Sequence, residues 1–304
     1  MPKTDFKELL DAGVHFGHLK RKWNPAMAPY IFMERNGIHI IDLEKTIIKL
    51  DEAASAMKHI AKSGKKVLFV ATKKQAKEIV AEKVKNVNMP YVTERWPGGM
   101  LTNFPTIRKA VKKMGSIDKM ATDGTFSNLS KREKLQVTRQ RAKLEKNLGS
   151  IVDLTRLPSA LFVVDVCKEH IAVREAKRLG IPVFAMVDTN SDPSDIDFPI
   201  PANDDASKSI SLIVNILCQS IEEGLNERKL EKDKEPGPKD KKVIRKELET
   251  KDIPASLIEA IVEEEEEEEE EAEEETEEET IALKSDDEEE SAVIRTDTED
   301  EEEA

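Results

Sequence analysis

The sequence predicts a three-layer α/β domain built on a parallel sheet and followed by an acidic tail. Short, almost continuously apolar runs rich in β-branched residues alternate with amphipathic helical patterns, which is typical of parallel strands covered on both faces. About sixty residues between the third and fourth strands are too many for a simple crossover, so they predict an inserted element. All 9 Phe, 2 Tyr and 2 Trp precede Pro199, which places the core in the first part of the chain.

Each strand is expected where β-branched and aromatic residues cluster between turn residues. The five strands are predicted at residues 37–41, 67–70, 91–93, 161–164 and 182–186. Amphipathic patterns predict helices over about 43–61 and 74–84, after the first two strands. A helix that ends at Gly180 connects the last two strands, and an apolar helix over 206–221 closes the body.

The insertion predicts a protruding antiparallel helical hairpin over about 104–150. Ser130 and Glu133 match a capping box that opens its second helix, and Gly149 ends that helix. The apolar face of the first helix is expected at Ile107, Val111, Met114 and Ile117. That of the second is expected at Leu135, Ala142, Leu144 and Leu148. Residues 101–150 carry 12 Lys and Arg against 4 Asp and Glu, so the hairpin is strongly basic.

Charge divides the chain at residue 230. Residues 1–230 carry 38 Lys and Arg against 28 Asp and Glu, whereas residues 231–304 carry 10 against 34. A basic body suits a partner made of phosphates, because each cation near a phosphate releases condensed counterions. The tail, with its unbroken Glu run over 263–271, cannot bury enough apolar surface to fold. We therefore expect an α/β domain over 1–230 and a disordered acidic extension over 231–304.

Cysteine usage and hydropathy indicate a soluble cytoplasmic protein. Cys167 and Cys218 have no regular spacing and are predicted to be buried, reduced thiols. No segment approaches the roughly 18 apolar residues of a membrane span, and the N-terminal residues do not resemble a signal peptide. We expect no membrane partner.

The basic hairpin is the strongest candidate for a nucleic-acid contact. Acidic partners at i+4 are scarce, so pairing within the helices does not explain the charge. A solvated helical surface is the alternative. The candidate residues are Arg108, Lys109, Lys112, Lys113, Lys131, Arg132, Arg139 and Arg141.

Two strand-end segments add further candidates. Glycines in the loop over 93–103 allow close approach to a phosphate, and its Arg and Trp can stack on bases. The loop candidates are Arg95, Trp96, Gly98, Gly99, Thr102 and Asn103. The alternative is an ordinary turn with its Trp in the core. Lys73 and Lys74 open a helix, where the dipole and the free N–H groups favour one backbone phosphate.

Catalytic, cofactor and metal sites are not predicted. The chain contains neither GxGxxG nor GxxxxGK[ST], so a free-nucleotide site is disfavoured. His15 and His18 fit a structural turn better than a metal site. Four aspartates after the fifth strand fit turn and capping chemistry, with Mg²⁺ or Zn²⁺ left open: Asp188, Asp192, Asp195 and Asp197.

Six motifs match, in order and spacing, the signature of one ribosomal protein family. They lie at 9–18 (LLDAGVHFGH), 23–27 (WNPAM), 35–43 (RNGIHIIDL), 95–103 (RWPGGMLTN), 158–165 (PSALFVVD) and 188–193 (DTNSDP). On these residues, over about 6–224, the chain resembles the family of bacterial small-subunit ribosomal protein S-two.

The resemblance implies a flavodoxin-like parallel sheet with a protruding hairpin, bound to small-subunit ribosomal RNA near the head–body junction. It also implies neighbouring small-subunit proteins, proximity to the mRNA exit region and, in many bacteria, docking of the large mRNA-binding ribosomal protein. Residues in or beside the motifs complete the RNA-contact set: Arg21, Lys22, Trp23, Asn24, Arg35 and Asn36.

The acidic tail departs from the family, whose members commonly end soon after the last helix. Repulsion from phosphate predicts that the tail points away from RNA. Three roles stay open: contact with a basic protein, shielding of the basic surface before assembly, or no specific role.

The sequence thus predicts a non-enzymatic, structural, rRNA-binding protein of the small ribosomal subunit, with no cofactor and no small-molecule substrate. One alternative is a nucleotide-dependent enzyme, which would need the missing phosphate loop. The other is a free nucleic-acid chaperone, which would bind any RNA loosely and would not reside in ribosomes.

Overall fold

The computed structural model describes residues 5–122, 126 and 130–234. The strands are β1 (Phe16–Leu19), β2 (Ile31–Arg35), β3 (Ile38–Ile41), β4 (Val67–Val70), β5 (Tyr91–Val92), β6 (Ala160–Val164), β7 (Val183–Val187) and β8 (Phe198–Pro201). The helices are α1 (Phe6–Asp11), α2 (Leu43–Lys62), α3 (Lys74–Asn86), α4 (Phe104–Thr122), α5 (Lys131–Leu148), α6 (His170–Arg178) and α7 (Ser207–Lys234).

A parallel sheet in the order β5-β4-β6-β7-β8 forms the middle layer. Val67 and Phe69 of β4 pack on one face with α2, α3 and α7, and Leu68 and Val70 pack on the other with α6 and the base of the hairpin. Both faces are therefore covered, which explains why these strands read as continuous apolar runs. The three-layer α/β class is confirmed, and the strand order is the flavodoxin-like one.

The first predicted strand belongs to a different sheet. β3 lies where expected, but it pairs antiparallel with β1 and β2 in a separate three-stranded sheet. Asn36 and Gly37 both have positive φ, 54° and 75°, as a two-residue type I′ hairpin turn requires. This turn reverses the chain so that β3 pairs with β2, and β1 takes the other edge of β3, which leaves no edge for β4. Its placement in the parallel sheet was wrong.

The fifth place in the parallel sheet is taken by β8, which the sequence analysis missed. β8 pairs parallel with β7 through Met186 and Ile200. Pro199 and Pro201 hid it, because proline cannot donate to a strand ladder and weakens the sequence signal for a strand. An edge strand tolerates proline, since one side of it has no partner to serve.

Both hairpin helices are confirmed, and so is the capping box at Ser130 and Glu133. On α4 the predicted apolar face is buried apart from the half-buried Ile107. On α5, however, Leu135 and Ala142 are exposed. The less exposed positions of α5 follow a helical 3-4 spacing that ends at Leu144 and Leu148, and the two wrong residues lie off this row. Most of the predicted turn at 121–129 lies outside the described residues.

Helix α7 extends to Lys234, and the compact unit of the chain ends there. Residues 235–304, which hold most of the predicted acidic extension, lie outside the described residues. Both cysteines are free, but only Cys218 is buried; Cys167 is exposed, against expectation. Among the described helices, none has the length and apolarity that a membrane crossing requires.

Candidate nucleic-acid interface

Six cations cover the outer faces of α4 and α5, and we call them the basic hairpin surface. They are Lys109, Lys112, Lys113, Lys131, Arg132 and Arg139. All six are exposed. Within the described residues, no carboxylate forms an ion pair with any of them. An unpaired cluster of one sign attracts a polyanion and contributes little to the stability of the fold.

The other two hairpin candidates have structural partners. Nη1 of Arg108 donates to the carbonyl oxygens of Val152 and Leu154, at 3.3 and 2.9 Å, and so ties α4 to the chain after α5. Arg141 pairs with Asp118 across the hairpin and, at 2.7 Å, with Glu145 one turn along its own helix. Arg108 and Arg141 therefore have a structural role in the hairpin, whatever else they contact.

Residues 95–103 form a loop between β5 and α4, and we call it the anchor loop. Its polar hydrogens converge on one buried carboxylate, Glu175 of α6. Glu175 accepts hydrogen bonds from the indole Nε1 of Trp96 at 3.1 Å and from the backbone nitrogens of Gly99 at 2.8 Å and Leu101 at 3.0 Å. The backbone nitrogen and hydroxyl of Thr102 add two longer bonds. The carboxylate thus takes the place that an external anion would occupy.

This arrangement fixes the ionisation of Glu175. Burial raises the pKa of the carboxyl, but the donors from Leu101, Gly99 and Trp96 outweigh burial and hold the pKa below its usual value. The anion is therefore the stable form at neutral pH. Sequence reasoning missed Glu175, although an acidic residue on the core-facing side of a helix is a usable signal of a buried partner.

The anchor loop divides its residues between the core and solvent. Trp96 is buried against the core, so its ring cannot stack on a base, which corrects that expectation. Gly99, with φ of 84°, directs its N–H inward to Glu175. The exposed side of the loop carries Arg95, Gly98, Thr102 and Asn103.

Lys73 lies at the carboxyl edge of the parallel sheet, where the strand order reverses between β4 and β6. Its ammonium is 2.8 Å from Asp204, 2.7 Å from Asp205 and 3.5 Å from Asp165. Burial lowers the pKa of Lys73, but Asp204 and Asp205 raise it further, so the cation stays charged. Lys73 neutralises carboxylates of its own chain and is not available to a phosphate, which corrects its assignment.

The same edge joins two motifs that the sequence analysis treated separately. Nδ1 of His18 lies 2.9 Å from Asp188. This contact raises the pKa of His18 against the effect of burial. With Asp204 and Asp205, these residues offer ligand atoms within 4.8 Å of one another. One imidazole and three carboxylates suit Zn²⁺ better than Mg²⁺.

Asp204 already pairs with Lys73 through Oδ1, which leaves Oδ2 as its candidate ligand atom. The side chain is fully buried, and its Oδ2 has no hydrogen-bond partner within the described part of the chain. Burial and the neighbouring Asp188 raise the pKa of Asp204 to about 7. The four residues could therefore hold a divalent ion. Of the four, Asp188 and His18 belong to the groups for which the sequence left a metal open, and Asp204 and Asp205 do not.

Comparison with known proteins assigns the family. A family model described as Ribosomal protein S2 matches residues 9–224, which is more than half of the chain. The chain belongs to the ribosomal protein S2 family.

Curated relatives agree with this assignment. The chain is 77% identical over 232 residues to the small ribosomal subunit protein uS2 of Parabacteroides distasonis, and the alignment covers 76% of this chain and 84% of that protein. It is 78% identical to uS2 of Phocaeicola vulgatus, with 76% and 83% covered. For uS2 of Azobacteroides pseudotrichonymphae the identity is 73%, with 76% and 88% covered. The S2 family match ends before the acidic tail.

The remaining candidates of this S2 family member lie near the small sheet and at α3. Arg21, Lys22, Trp23, Arg35 and Lys74 are exposed, as an interface requires. The Asn24 side chain caps the next turn by accepting from Ala26 N at 2.9 Å, and Asn36 forms the β2–β3 turn. These two asparagines have a local structural role, whatever else they contact.

Proposed function

We propose that this chain is a structural, non-enzymatic constituent of the small ribosomal subunit, in the cytoplasm, and that the basic hairpin surface binds the subunit's rRNA. Membership of the S2 family and the names of the relatives support the subunit assignment. The six exposed cations without a carboxylate partner within the described residues support the site. Neighbouring small-subunit proteins are the other expected partners.

Contact is made mainly to the RNA backbone. Lysines and arginines spaced along two helices match phosphates, which fix position and carry no sequence information. The exposed side of the anchor loop, with Arg95, Thr102 and Asn103, adds donors and acceptors beside the base of the hairpin. Duplex RNA is read in this way, by shape, phosphate and 2′-hydroxyl contacts.

A triple variant tests this site: Lys112→Gln, Lys113→Gln and Arg139→Gln. Each lost phosphate contact lowers the slope of log K against log salt by about one, so the slope for small-subunit rRNA falls by about three. Incorporation into subunits falls as well. The urea midpoint stays unchanged, because these side chains support no described contact in the fold.

The matched control is Lys65→Gln, Lys85→Gln and Lys208→Gln, which removes the same charge from exposed positions outside the candidate set. It leaves the slope within about one of the original. Equal losses in both variants would mean that total charge, and not the hairpin, determines binding. An unchanged slope and normal incorporation in the first variant would refute the hairpin site.

Truncation after Lys234 tests the part played by the acidic extension. We expect specific rRNA binding to persist and non-specific RNA binding to rise, because the removed residues 235–304 carry 32 Asp and Glu against 8 Lys and Arg. Loss of specific binding would assign the extension a direct role.

Retention of the full chain on subunits through a high-salt wash separates a resident protein from a free chaperone.

A further inference from the structure

In helix α6 and the turn before it, the acidic side chains are buried and the basic side chains are exposed. Every exposed charged residue over 168–178 is a cation: Lys168, Arg174, Lys177 and Arg178. The two acidic residues in the same stretch, Glu169 and Glu175, are buried. A surface helix of a globular protein normally carries both signs on its outer face. The outer face of α6 carries only positive charges among its exposed charged residues.

The buried acids are both used inside the fold. Glu169 accepts a hydrogen bond from Thr72 N at 3.2 Å and another from the Thr72 hydroxyl. Glu175 holds the anchor loop. Both carboxylates are buried and occupied by these hydrogen bonds, so neither is exposed beside the outer arginines.

Two of the four cations also have partners. Lys168 donates to the Thr72 carbonyl at 2.9 Å, and Lys177 pairs with Asp195. Arg174 and Arg178 remain, and no carboxylate of the described residues forms an ion pair with either. They stand at i and i+4, where like charges repel and destabilise the helix. Ion pairing within the described residues therefore does not explain why two cations stand here.

The position of α6 links it to the site described above. Residue 175, next to Arg174, anchors the loop whose outer side carries Arg95. Apolar residues of α6, the anchor loop and the hairpin base share one core on the same side of the sheet, including Val173, Leu101 and Val111. Surfaces built on one core face can contact one extended partner together.

We propose that Arg174 and Arg178 form a second contact with the rRNA backbone, separate from the basic hairpin surface; this rests on the proposed function. One helical turn separates them by about 6 Å along the axis, so the pair can hold two phosphates of one strand. The guanidinium group binds phosphate through two parallel hydrogen bonds. We call this pair the α6 arginines.

The test compares the salt dependence of small-subunit rRNA binding in three variants. Arg174→Gln with Arg178→Gln lowers the slope of log K against log salt by about two. Arg174→Lys with Arg178→Lys keeps both charges, so the slope stays and only affinity falls through loss of the paired hydrogen bonds. The third variant is the hairpin triple described above, which lowers the slope by about three.

The outcomes separate the two proposals. If the hairpin variant lowers the slope and the α6 glutamine variant does not, the α6 contact is overturned and the proposed function stands. If neither lowers it, the proposed function fails. A glutamine variant that binds rRNA normally but loses a crosslink to a subunit protein would assign α6 to an acidic protein partner and also overturn the proposal. A changed urea midpoint in the lysine variant would show that the arginines act in the fold.

Discussion

Lys73 and the basic hairpin surface were both RNA candidates in the sequence, but their surroundings in the structure differ. Lys73 lies within 3.5 Å of three carboxylates at the carboxyl edge of the sheet. The hairpin cations stand in solvent, and none has an acidic partner within the described residues. A cation that neutralises buried acid belongs to the fold, whereas an unpaired exposed cation is available to a partner. The presence of nearby carboxylates, and not the residue type, distinguishes Lys73 from the hairpin cations.

Replacing Lys73 by Met should produce the largest effect on stability. Asp204 and Asp165 would keep their burial and lose the cation that offsets it. Breaking a buried ion pair in this way costs about 3–5 kcal/mol. Urea denaturation measures the loss.

Lys74→Met is the matched control, since the neighbouring side chain is exposed. It should change the free energy of unfolding by less than about 0.5 kcal/mol. If the two variants lost equal stability, the carboxylate contacts of Lys73 would not be the reason. If Lys73→Met instead reduced the slope of log K against log salt for rRNA and left the fold intact, Lys73 would be an RNA contact and not a structural cation.

Divalent cations should bind the same group of carboxylates. Zn²⁺ at a hundredfold excess over its Kd should add about 2.7 kcal/mol to the free energy of unfolding, if His18 and the three aspartates hold it. Binding should strengthen from pH 6 to pH 8, because protons compete for Asp204, whose pKa is about 7. Thermal denaturation with ZnCl₂ or MgCl₂ measures the gain.

Asp204→Asn is the control for this measurement, because it keeps an oxygen for Lys73 and removes the buried anion. It should abolish most of the gain from Zn²⁺. An equal gain in both proteins would place the ion elsewhere.

Glu175→Gln should have an intermediate effect. The amide cannot accept all the N–H donors of the anchor loop, and a buried donor without a partner costs about 1–3 kcal/mol. Because the pKa of Glu175 is lowered in the folded state, the native carboxylate contributes stability above its usual pKa and loses it as the pH falls. Urea unfolding from pH 7 to pH 3 should therefore show a weaker pH dependence in the variant.

Glu222→Gln, an exposed change on α7, should leave both the stability and its pH dependence unchanged. If Glu175→Gln behaved in the same way, the anchor loop would not depend on this carboxylate.

The smallest expected change in stability comes from Arg141, which lies two residues from Arg139 on α5. Arg141→Gln removes the contacts to Asp118 and Glu145, so the urea midpoint should fall slightly while the rRNA salt slope stays the same. Arg139→Gln should do the reverse and lower the slope by about one. Identical behaviour of the two variants would show that the hairpin does not divide its arginines between fold and partner.

Local pattern was enough to predict most of the fold. Continuous apolar runs located four parallel strands, because burial on both faces leaves no alternation. The capping box at Ser130 and the 3-4 spacing of α4 located the hairpin. β8 was missed because its two prolines contradict the usual strand composition. β3 was placed in the wrong sheet because its hairpin partner β2, which comes just before the Asn36-Gly37 turn, was not predicted as a strand.

The site was harder to predict, since it depends on contacts between distant residues. The sequence shows that Lys73, Arg108 and Arg141 are basic, but it does not show their partners. These are Asp204 for Lys73, Val152 for Arg108 and Asp118 for Arg141. The helical pattern could place Glu175 on the core-facing side of α6, but it could not name the partners, which lie more than 70 positions away. Exposure of Lys112 or Arg139, by contrast, follows from the helical period alone.

The small sheet has a consequence for the order of folding during synthesis. β1 passes so close to Thr189 that a Cβ on Gly17 would lie 2.6 Å from its methyl carbon, and His18 N donates to the Thr189 hydroxyl across 171 positions of sequence. At about 5–20 residues per second, the ribosome delivers Thr189 about 9–34 s after His18. β1 thus has to wait until Thr189 has been made before it can dock against it.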